Sequence, residues 1–371
     1  MKILLLGEYS NLHYTLAHAL RELGHEVRQV SDGDDWKRYP QDVRLARKST
    51  GKLDTLRYLL QLRREMRRWR GYDVVQLINP VHFIDLKAGR GMRIYDYLRR
   101  HNAKVFLGAF GDDYYYIHDS YVNRRLRYCD FYTPTHEVIH DWNRSNIAGW
   151  LENQHMVEAC RHVAQTCNGI IAALYEYYEA YRPLFPRKTV FIPLPVALPD
   201  QASAPAAPSG RLRFFIGIQA RRSELKGTDI LLRVARELEQ EYPDRMQLVT
   251  AQNLPFDQYT RLMATCDVLL DQIYSYTPAM NALQAMAGGI VAVSGGEEEQ
   301  YELLGEHELR PIINVQPDET DIRRQLEDLI LHPERLPELK RQSIEYIRRH
   351  HDATKVARQY VRFWQQEQPI Q

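Results

Sequence analysis

The sequence has few of the features that mark secreted, membrane-spanning or zinc-binding proteins. Its 371 residues include only four cysteines, and none of these stand at the paired spacing of a zinc site. No apolar run approaches the roughly 20 residues needed to cross a bilayer, and the N-terminal segment MKILLLGEYS turns polar early. We therefore expect a cytoplasmic protein with buried thiols, without a signal peptide or a membrane anchor.

The beginning of the chain lacks the three-glycine fingerprint of dinucleotide-binding proteins. An apolar run from Lys2 to Leu6 predicts a strand, residues Asn11 to Leu23 predict a helix, and Glu26 to Val30 predict a second strand. The loop after the first strand carries the single glycine Gly7, so we expect a βαβ unit that does not bind NAD. The same alternation predicts two further strands of a parallel sheet, Val74 to Ile78 and Lys104 to Ala109.

A strong net charge is also absent. The chain has 49 Lys and Arg against 48 Asp and Glu, a net charge of +1, and we expect no nucleic-acid partner. The charge is divided unevenly, because residues 1–195 hold 29 basic and 22 acidic side chains. The length suits two domains of roughly 150 to 200 residues, and 44% hydrophobic residues is an ordinary globular composition.

Six arginines of the first half crowd the segment Arg57 to Arg70. In the same segment Leu59, Leu60, Leu62 and Met66 supply an apolar stripe. A basic amphipathic helix of this kind can lie on an anionic membrane surface. A solvent-exposed helix with an arginine-rich face has the same composition. Runs of charged residues more often form such a face, so both interpretations stay open.

Two segments of the second half carry the strongest functional signal. The first reads as a strand from Leu212 to Ile218, a basic loop, a helix from Thr228 to Glu241 and a strand from Met246 to Thr250. A loop at the carboxyl end of a strand lies at the usual ligand edge of an open α/β sheet, and its cations suit an anion. These cations are Arg221, Arg222 and Lys226.

The second segment, Tyr274 to Glu299, places a helix N-terminus beside glycines and a buried strand. Thr277 as N-cap and Pro278 in the first turn predict a helix over 278–287, whose free N–H groups attract an anion. Two glycines end this helix, and a buried strand over 290–294 follows. The residues that we expect to contact a nucleotide diphosphate here are Thr277, Pro278, Ala279 and Met280.

These two segments resemble the donor half of GT-B glycosyltransferases, in particular the large retaining family-four type (glycosyl transferases group 1). The pair Lys226 and Gly227, with one of the two arginines, is similar to the loop that grips the donor diphosphate. The run Gln284 to Gly288 is similar to the family's EAMA-G helix. The resemblance covers most of residues 211–315 and is weaker over the first half.

The resemblance implies an α/β fold of two Rossmann-like domains with parallel sheets and an interdomain cleft. It assigns residues 1–195 to an acceptor-side domain and residues 196–352 to the domain that binds the nucleotide sugar. A helix within 353–371 crosses back to the first domain. The Pro-, Ala- and Ser-rich stretch 200–210 reads as a linker or surface loop.

The family's pair of glutamates separated by seven residues falls here on Tyr276 and Gln284. Gln284 still offers an amide oxygen to the donor ribose, whereas Tyr276 takes the place beside the sugar as a hydrogen-bonding or stacking group. The resemblance also implies that Gly7 faces the cleft and that Gln252 and Asn253, after a strand end, line the base.

The loop 110–116, FGDDYYY, resembles the family's His-Gly-Ser-Asp loop, with Phe110 in the position of the histidine. Asp112 and Asp113 stand there at a strand's carboxyl end, where carboxylates accept hydrogen bonds from sugar hydroxyls and tyrosine faces pack on sugar rings. Aspartates in such positions also cap helices or bind Mg²⁺. We place Asp112, Asp113 and Tyr276 in the catalytic site. We expect three nearby histidines to be structural, namely His118, His136 and His140.

The resemblance implies a retaining glycosyltransferase of polysaccharide biosynthesis that needs neither a metal nor a cofactor. It moves a hexose-type sugar from a nucleotide diphosphate sugar to a glycan or lipid-linked acceptor. Two other functions stay open. One is a sugar-nucleotide or glycan-binding protein of the same fold without catalysis, suggested by Tyr276, Gln284 and Phe110. The other is a GT-B-fold sugar epimerase that uses cleft carboxylates and histidines.

Overall fold

The structure is a computed structural model that describes residues 1–34, 39–135, 137, 141–199, 210–218, 223–252 and 254–366. It is an α/β protein with two parallel sheets, which confirms the predicted fold class. No described helix combines the length and apolar composition that crossing a bilayer requires.

The chain forms two compact units. The first comprises residues 1–123, 145–195 and 353–371, and the second comprises 124–144 and 196–352. Residues 124–144, which we expected in the first domain, pack with the second unit. We call residues 124–144 the strap.

The first unit is built on a seven-stranded parallel sheet with the order β3-β2-β1-β4-β5-β6-β7. This order reverses between β1 and β4, as in a Rossmann sheet. Its strands are β1 (Lys2–Leu6), β2 (Glu26–Ser31), β3 (Val43–Arg44), β4 (Val74–Leu77), β5 (Lys104–Ala109), β6 (Gly169–Ala172) and β7 (Thr189–Phe191).

The second unit is built on a five-stranded parallel sheet with the order β12-β11-β10-β8-β9. Here the order reverses between β8 and β10, as in flavodoxin-like sheets. Its strands are β8 (Leu212–Ile218), β9 (Met246–Gln252), β10 (Val268–Leu270), β11 (Val291–Ser294) and β12 (Ile313–Asn314).

Helices cover both sheets, so strand residues such as Leu4, Leu5, Val291 and Ala292 are fully buried whichever side of their sheet they face. The α-helices in chain order are α1 (Leu12–Glu22), α2 (Lys52–Met66), α3 (Ala88–His101), α4 (Tyr114–Ile117), α5 (Asp141–Leu151), α6 (Gln154–Thr166), α7 (Tyr175–Tyr181), α8 (Ser223–Lys226), α9 (Thr228–Glu241), α10 (Phe256–Met263), α11 (Met280–Ala287), α12 (Glu298–Leu304), α13 (Glu319–Leu331), α14 (Leu336–Tyr346) and α15 (Ala353–Gln365).

The C-terminal helix α15 belongs to the first unit. Its residues Val356, Tyr360 and Phe363 recur at helical spacing and are buried in the core with Leu16 of α1 and Phe106 of β5. These three side chains therefore form the packing face of this helix.

Helix α2 exposes apolar as well as basic side chains. Tyr58 and Leu62 are buried, but Leu60 is 59% exposed, so Leu60 does not belong to the predicted apolar stripe. The physical reason is the 3.6-residue period, which turns position 60 away from position 62. Leu53 and Leu56, which lie on the side of Leu60, are 73% and 55% exposed.

Candidate functional site

The second sheet offers a ligand edge at the reversal between β8 and β10. Open α/β sheets bind their ligands outside the carboxyl ends of the strands at such a point. The chain after β8 passes through 219–222 to α8, and the chain after β10 passes through 271–279 to α11. The predicted Arg221 and Arg222 lie outside the described residues.

Lys226 lies beside a buried carboxylate at this edge. Its Nζ is 3.8 Å from Oδ1 of Asp271, the residue that follows β10. Asp271 also accepts a hydrogen bond from Nδ2 of Asn281 at 2.9 Å, so its position is fixed from a second side. The Lys226 side chain keeps 30% of its surface exposed. An ammonium group is thus held at the sheet edge while it remains accessible to an anion.

Gly227 allows the lysine loop to approach the loop after β10 closely. Its φ of +67° lies in the left-handed region, and a Cβ here would lie 2.3 Å from Cγ1 of Ile273. The N–H of Ile273 donates to the carbonyl of Lys226 at 3.0 Å, which joins the two loops. In the Lys-Gly pair noted in the sequence, Gly227 therefore permits the close approach of the two loops that fixes the position of Lys226.

Helix α11 begins at Met280, two residues later than predicted, and its N-cap is Ala279. The prediction of Thr277 as N-cap with Pro278 in the first turn is wrong, because Ala279 is still extended, with φ −91° and ψ 179°. Thr277 is buried, and its carbonyl accepts a hydrogen bond from Nε2 of Gln272 at 3.4 Å. The N-cap residue Ala279 has no side chain that could cap α11, which leaves the N–H groups of the first turn as candidate donors to a ligand.

Two further predicted donor residues lie in the same unit. Gln284 is half-buried in α11, between the buried residues Leu283 and Ala285. Gln252 is exposed at the end of β9, where it pairs in register with Ile218 at the end of β8. Asn253 lies outside the described residues.

Tyr276 is held by the strap. Its hydroxyl accepts a hydrogen bond from the backbone N–H of Arg127 at 2.6 Å. The Arg127 guanidinium lies 4.9 Å from the centroid of the Tyr276 ring, and the Tyr128 ring lies 5.0 Å from it. Burial raises the pKa of Tyr276 to about 12, so the phenol is neutral at physiological pH. The position to which the resemblance assigns a glutamate is thus occupied by a buried phenol that is already hydrogen-bonded.

Glu297, which follows β11, anchors the strap from the other side. Burial alone would raise its pKa, but hydrogen bonds from several donors outweigh burial and hold the pKa below the usual value. These donors are the hydroxyl of Tyr128 at 2.5 Å, the amides of Asn314 at 3.1 Å and Gln316 at 2.5 Å, and the guanidinium of Arg127 at 2.5 Å. The sequence patterns predicted no role for Glu297, Arg127 or Asp271.

In the first unit Gly7 stands at the reversal point between β1 and β4. Its φ is +86°, and a Cβ here would lie 2.2 Å from Cγ2 of Ile78, so this turn requires glycine. The Gly7 carbonyl accepts a hydrogen bond from Nδ1 of His13 at 2.8 Å. Burial lowers the pKa of His13 to about 4, so this imidazole is neutral at physiological pH.

Glu8 occupies the N-terminus of α1. Its carboxylate accepts hydrogen bonds from the N–H groups of His13 at 3.1 Å and Tyr14 at 2.8 Å. The side-chain amide of Gln29 donates to the same group at 2.8 Å. Burial raises the pKa of Glu8 to about 8. Since an internal side chain already caps this helix, the end of α1 does not present open donors to a ligand.

The two aspartates after β5 have different surroundings. Asp113 is fully buried and caps α4, where Oδ1 accepts from the N–H of Tyr116 at 2.9 Å and Oδ2 accepts from the hydroxyl of Tyr181 at 2.6 Å. Burial raises the pKa of Asp113 to about 6. The sequence left sugar binding, helix capping and Mg²⁺ binding open for this residue, and in the structure Asp113 caps a helix. Asp112 is half-buried, and its Oδ2 accepts from Nδ2 of Asn146 at 2.7 Å.

Within the described part of the chain, no group of three or more His, Cys, Asp and Glu side chains is arranged to hold a metal ion. All four cysteines are buried and free. His118 lies against the Tyr114 ring at 5.5 Å, while His136 and His140 lie outside the described residues.

The sequence matches no family model and no curated protein. Solved structures match nearly the whole chain. HepE from Anabaena, in complex with UDP and glucose, is 14% identical with a TM-score of 0.57, and 98% of each chain is covered. Sucrose-phosphate synthase from Thermosynechococcus elongatus is 12% identical with a TM-score of 0.58 and coverage of 98% of each chain. WaaG, a glycosyltransferase involved in lipopolysaccharide biosynthesis, is 11% identical with a TM-score of 0.57, covering 98% of this chain and 100% of its own.

These similarities define the fold. The chain has the GT-B fold of these glycosyltransferases, with two Rossmann-like units, as the sequence analysis predicted.

Proposed function

We propose that this chain is a retaining glycosyltransferase. It moves a hexose-type sugar from a nucleoside diphosphate sugar to a glycan or lipid-linked acceptor. The observation that carries the proposal is the ammonium group of Lys226, held beside Asp271 at the reversal point of the second sheet. The HepE structure, similar over 98% of this chain, contains UDP, which supports a nucleoside diphosphate as the ligand class.

Lys226 stabilises the negative charge that develops on the diphosphate as the glycosidic bond to the donor breaks. This is electrostatic catalysis, and it supplies positive charge without requiring a metal ion. The N-terminus of α11, whose N-cap residue Ala279 has no capping side chain, adds backbone donors to the same anion. Gln284 accepts hydrogen bonds from the ribose hydroxyls, and Gln252 lies at the edge where the base packs.

A second candidate is a nucleotide-sugar-binding protein without catalysis. The observation that favours it is Tyr276, whose hydroxyl accepts the Arg127 N–H hydrogen bond at the position where the family has a carboxylate. Binding of a donor without its turnover is the outcome that this candidate predicts.

The test is the release of nucleoside diphosphate from a panel of uridine, guanosine and adenosine diphosphate sugars by purified protein. A glycosyltransferase releases the nucleotide of its donor faster than buffer does, and Lys226→Ala loses this release. Saturable donor binding without release supports the binding protein. If no donor binds, both functions are wrong. For an α-linked donor, proton NMR of the first sugar released distinguishes retention, which gives the α anomer, from inversion.

We also propose that α2 rests on an anionic membrane surface. Its outward side carries the exposed leucines at positions 53, 56 and 60, and arginines at positions 57, 63, 64 and 67 stand on the same side. A solvated helix gains nothing from exposing three leucines, whereas leucine insertion and arginine contact with anionic head groups reinforce each other at a membrane. The exposed leucines therefore favour the membrane over the solvated face.

A further inference from the structure

A cavity of about 270 Å³ lies in the first unit between α2 and the loop that enters α3. The loop follows β4, and another wall follows β3, so the cavity opens at the carboxyl edge of the first sheet. Its principal lining residues are Arg47, Tyr58, Leu59, Asp85, Lys87 and Arg90. Ligands of open α/β sheets bind at this edge.

The cavity has an excess of positive charge. Three cations line it against a single carboxylate, and that carboxylate, Asp85, is paired with Arg47. Lys87 and Arg90 are exposed and form no ion pair within the described part of the chain. Two guanidinium or ammonium groups are therefore left to interact with an anionic ligand.

The N-terminus of α3 also favours an anionic ligand. This helix has 14 residues, its N-cap Lys87 makes no side-chain hydrogen bond, and no acidic residue stands in its first turn. Its first turn therefore supplies no anion to compensate the dipole, and the nearby carboxylate of Asp85, two residues before the N-cap, is paired with Arg47. Helix α1 is different, because Glu8 fills its N-terminus.

Tyr58 supplies an independent observation. It is 2% exposed and lines the cavity, and the backbone N–H of Asp85 lies near its oxygen, yet its hydroxyl proton has no acceptor among the described residues. Burial raises the pKa of this phenol, so it remains a proton donor. A buried hydroxyl without an acceptor is unfavourable, and an anionic oxygen in the cavity would satisfy it.

We propose that this cavity binds a phosphate group carried by the acceptor. The Tyr58 hydroxyl, the Lys87 and Arg90 side chains and the first N–H groups of α3 are its donors. The inference that the cavity binds phosphate depends only on these residues. The inference that this phosphate belongs to the acceptor substrate rests on the proposed function. The phosphate belongs either to a membrane lipid or to a soluble phosphorylated sugar.

The test is calorimetric titration of the full chain with glycerol 3-phosphate, at constant ionic strength and with UDP present to occupy the donor site. Wild type should bind saturably. Replacing both cations (Lys87→Gln with Arg90→Gln) should weaken binding at least tenfold, and Tyr58→Phe should weaken it several-fold. The control Arg100→Gln removes a charge from the far end of α3 and should change nothing.

Absence of saturable binding by wild type overturns the site, and so does an equal loss in the Arg100 control, which would indicate general attraction to charge. Titration of UDP into the same variants separates this proposal from the donor site. Unchanged UDP affinity beside lost phosphate binding supports the cavity, and lost UDP affinity in the cavity variants contradicts it.

A second experiment, vesicle sedimentation, identifies the source of the phosphate. Vesicles of anionic phospholipid are sedimented with the wild type and with the double variant, with and without glycerol 3-phosphate. If the double variant binds vesicles less and soluble phosphate competes, the ligand is a lipid phosphate. If vesicle binding is unaffected while glycerol 3-phosphate binding is lost, the ligand is a soluble phosphorylated acceptor.

Discussion

The backbone N–H of Arg127 donates a hydrogen bond of 2.6 Å to the hydroxyl of Tyr276, 149 positions further along the chain. The chain leaves the first unit after residue 123, contributes the strap to the second unit, and returns at residue 145. Tyr276 is one of the anchors of this strap. Tyr276, the residue that the resemblance sets in place of a glutamate, therefore has a structural partner in this protein.

Replacing Tyr276 by phenylalanine should lower the free energy of unfolding by about 1 to 3 kcal/mol, because the N–H of Arg127 loses its acceptor. Urea unfolding measures this loss. UDP affinity should be retained, since the ring still packs against Arg127. Tyr242→Phe, which removes a surface hydrogen bond to Glu327 in the same unit, should cost less. A stable Tyr276→Phe protein that has lost donor turnover would show instead that the phenol is catalytic.

Gln284 should contact the ribose rather than the diphosphate. Gln284→Glu should keep or strengthen UDP binding, because a carboxylate accepts hydroxyl hydrogen bonds more strongly than an amide oxygen. Gln284→Leu should weaken UDP binding and leave inorganic pyrophosphate binding unchanged, since pyrophosphate has no ribose. Calorimetry with both ligands checks this. An equal loss for both ligands would place Gln284 elsewhere.

Glu8 should make stability depend on pH. Its pKa of about 8 in the folded chain exceeds the unfolded value of 4.5, so the folded state holds the proton more tightly. The resulting stabilisation is complete below pH 4.5 and is lost as the pH rises to about 8. His13 acts with the opposite sign at lower pH, because its folded pKa is depressed to about 4.

The comparison of wild type with Glu8→Gln isolates this effect. Between pH 5 and pH 8.5 the variant should gain on the order of a few kcal/mol of unfolding free energy relative to wild type. Urea unfolding at the two pH values measures the difference. Parallel pH curves for the two proteins would mean that Glu8 ionises as readily folded as unfolded.

The outward side of α2 should bind anionic vesicles. Replacing the leucines at 53, 56 and 60 by serine, or the arginines at 63, 64 and 67 by glutamine, should each release the protein into the supernatant. Each arginine near the surface contributes roughly 1 kcal/mol, and 1 M salt shortens the Debye length to about 3 Å, so salt should release the wild type. The charge-matched control replaces Arg324, Arg335 and Arg341 of the second unit. Equal recovery in the supernatant with neutral and with anionic vesicles would favour the solvated face.

Continuous apolar runs and helical periodicity predicted most of the fold. The strands Lys2–Leu6, Lys104–Ala109 and Leu212–Ile218 and the helix Thr228–Glu241 have the bounds read from the sequence. The strands β3, β10 and β12 were missed because two or three residues are too few to show a period.

Less of the candidate site than of the fold could be predicted from the sequence. The strap makes its contacts with residues some 150 to 170 positions away, and such pairing leaves no local pattern. Asp271 and Glu8 did have a signal, since each acid follows a buried strand either directly or after one glycine. An ionisable group at the carboxyl end of a parallel strand lies at the ligand edge, and that rule would have found both.

The measurement that tests the account most directly is calorimetric titration of UDP into wild type, Lys226→Ala and the control Arg233→Ala, an exposed arginine of the same unit. The account predicts saturable UDP binding by wild type and by Arg233→Ala. Lys226→Ala should bind roughly ten- to a hundredfold more weakly, because a charge-assisted hydrogen bond contributes about 1.5 to 3 kcal/mol. Equal UDP affinity in all three proteins would remove Lys226 from the donor site and contradict the proposed function.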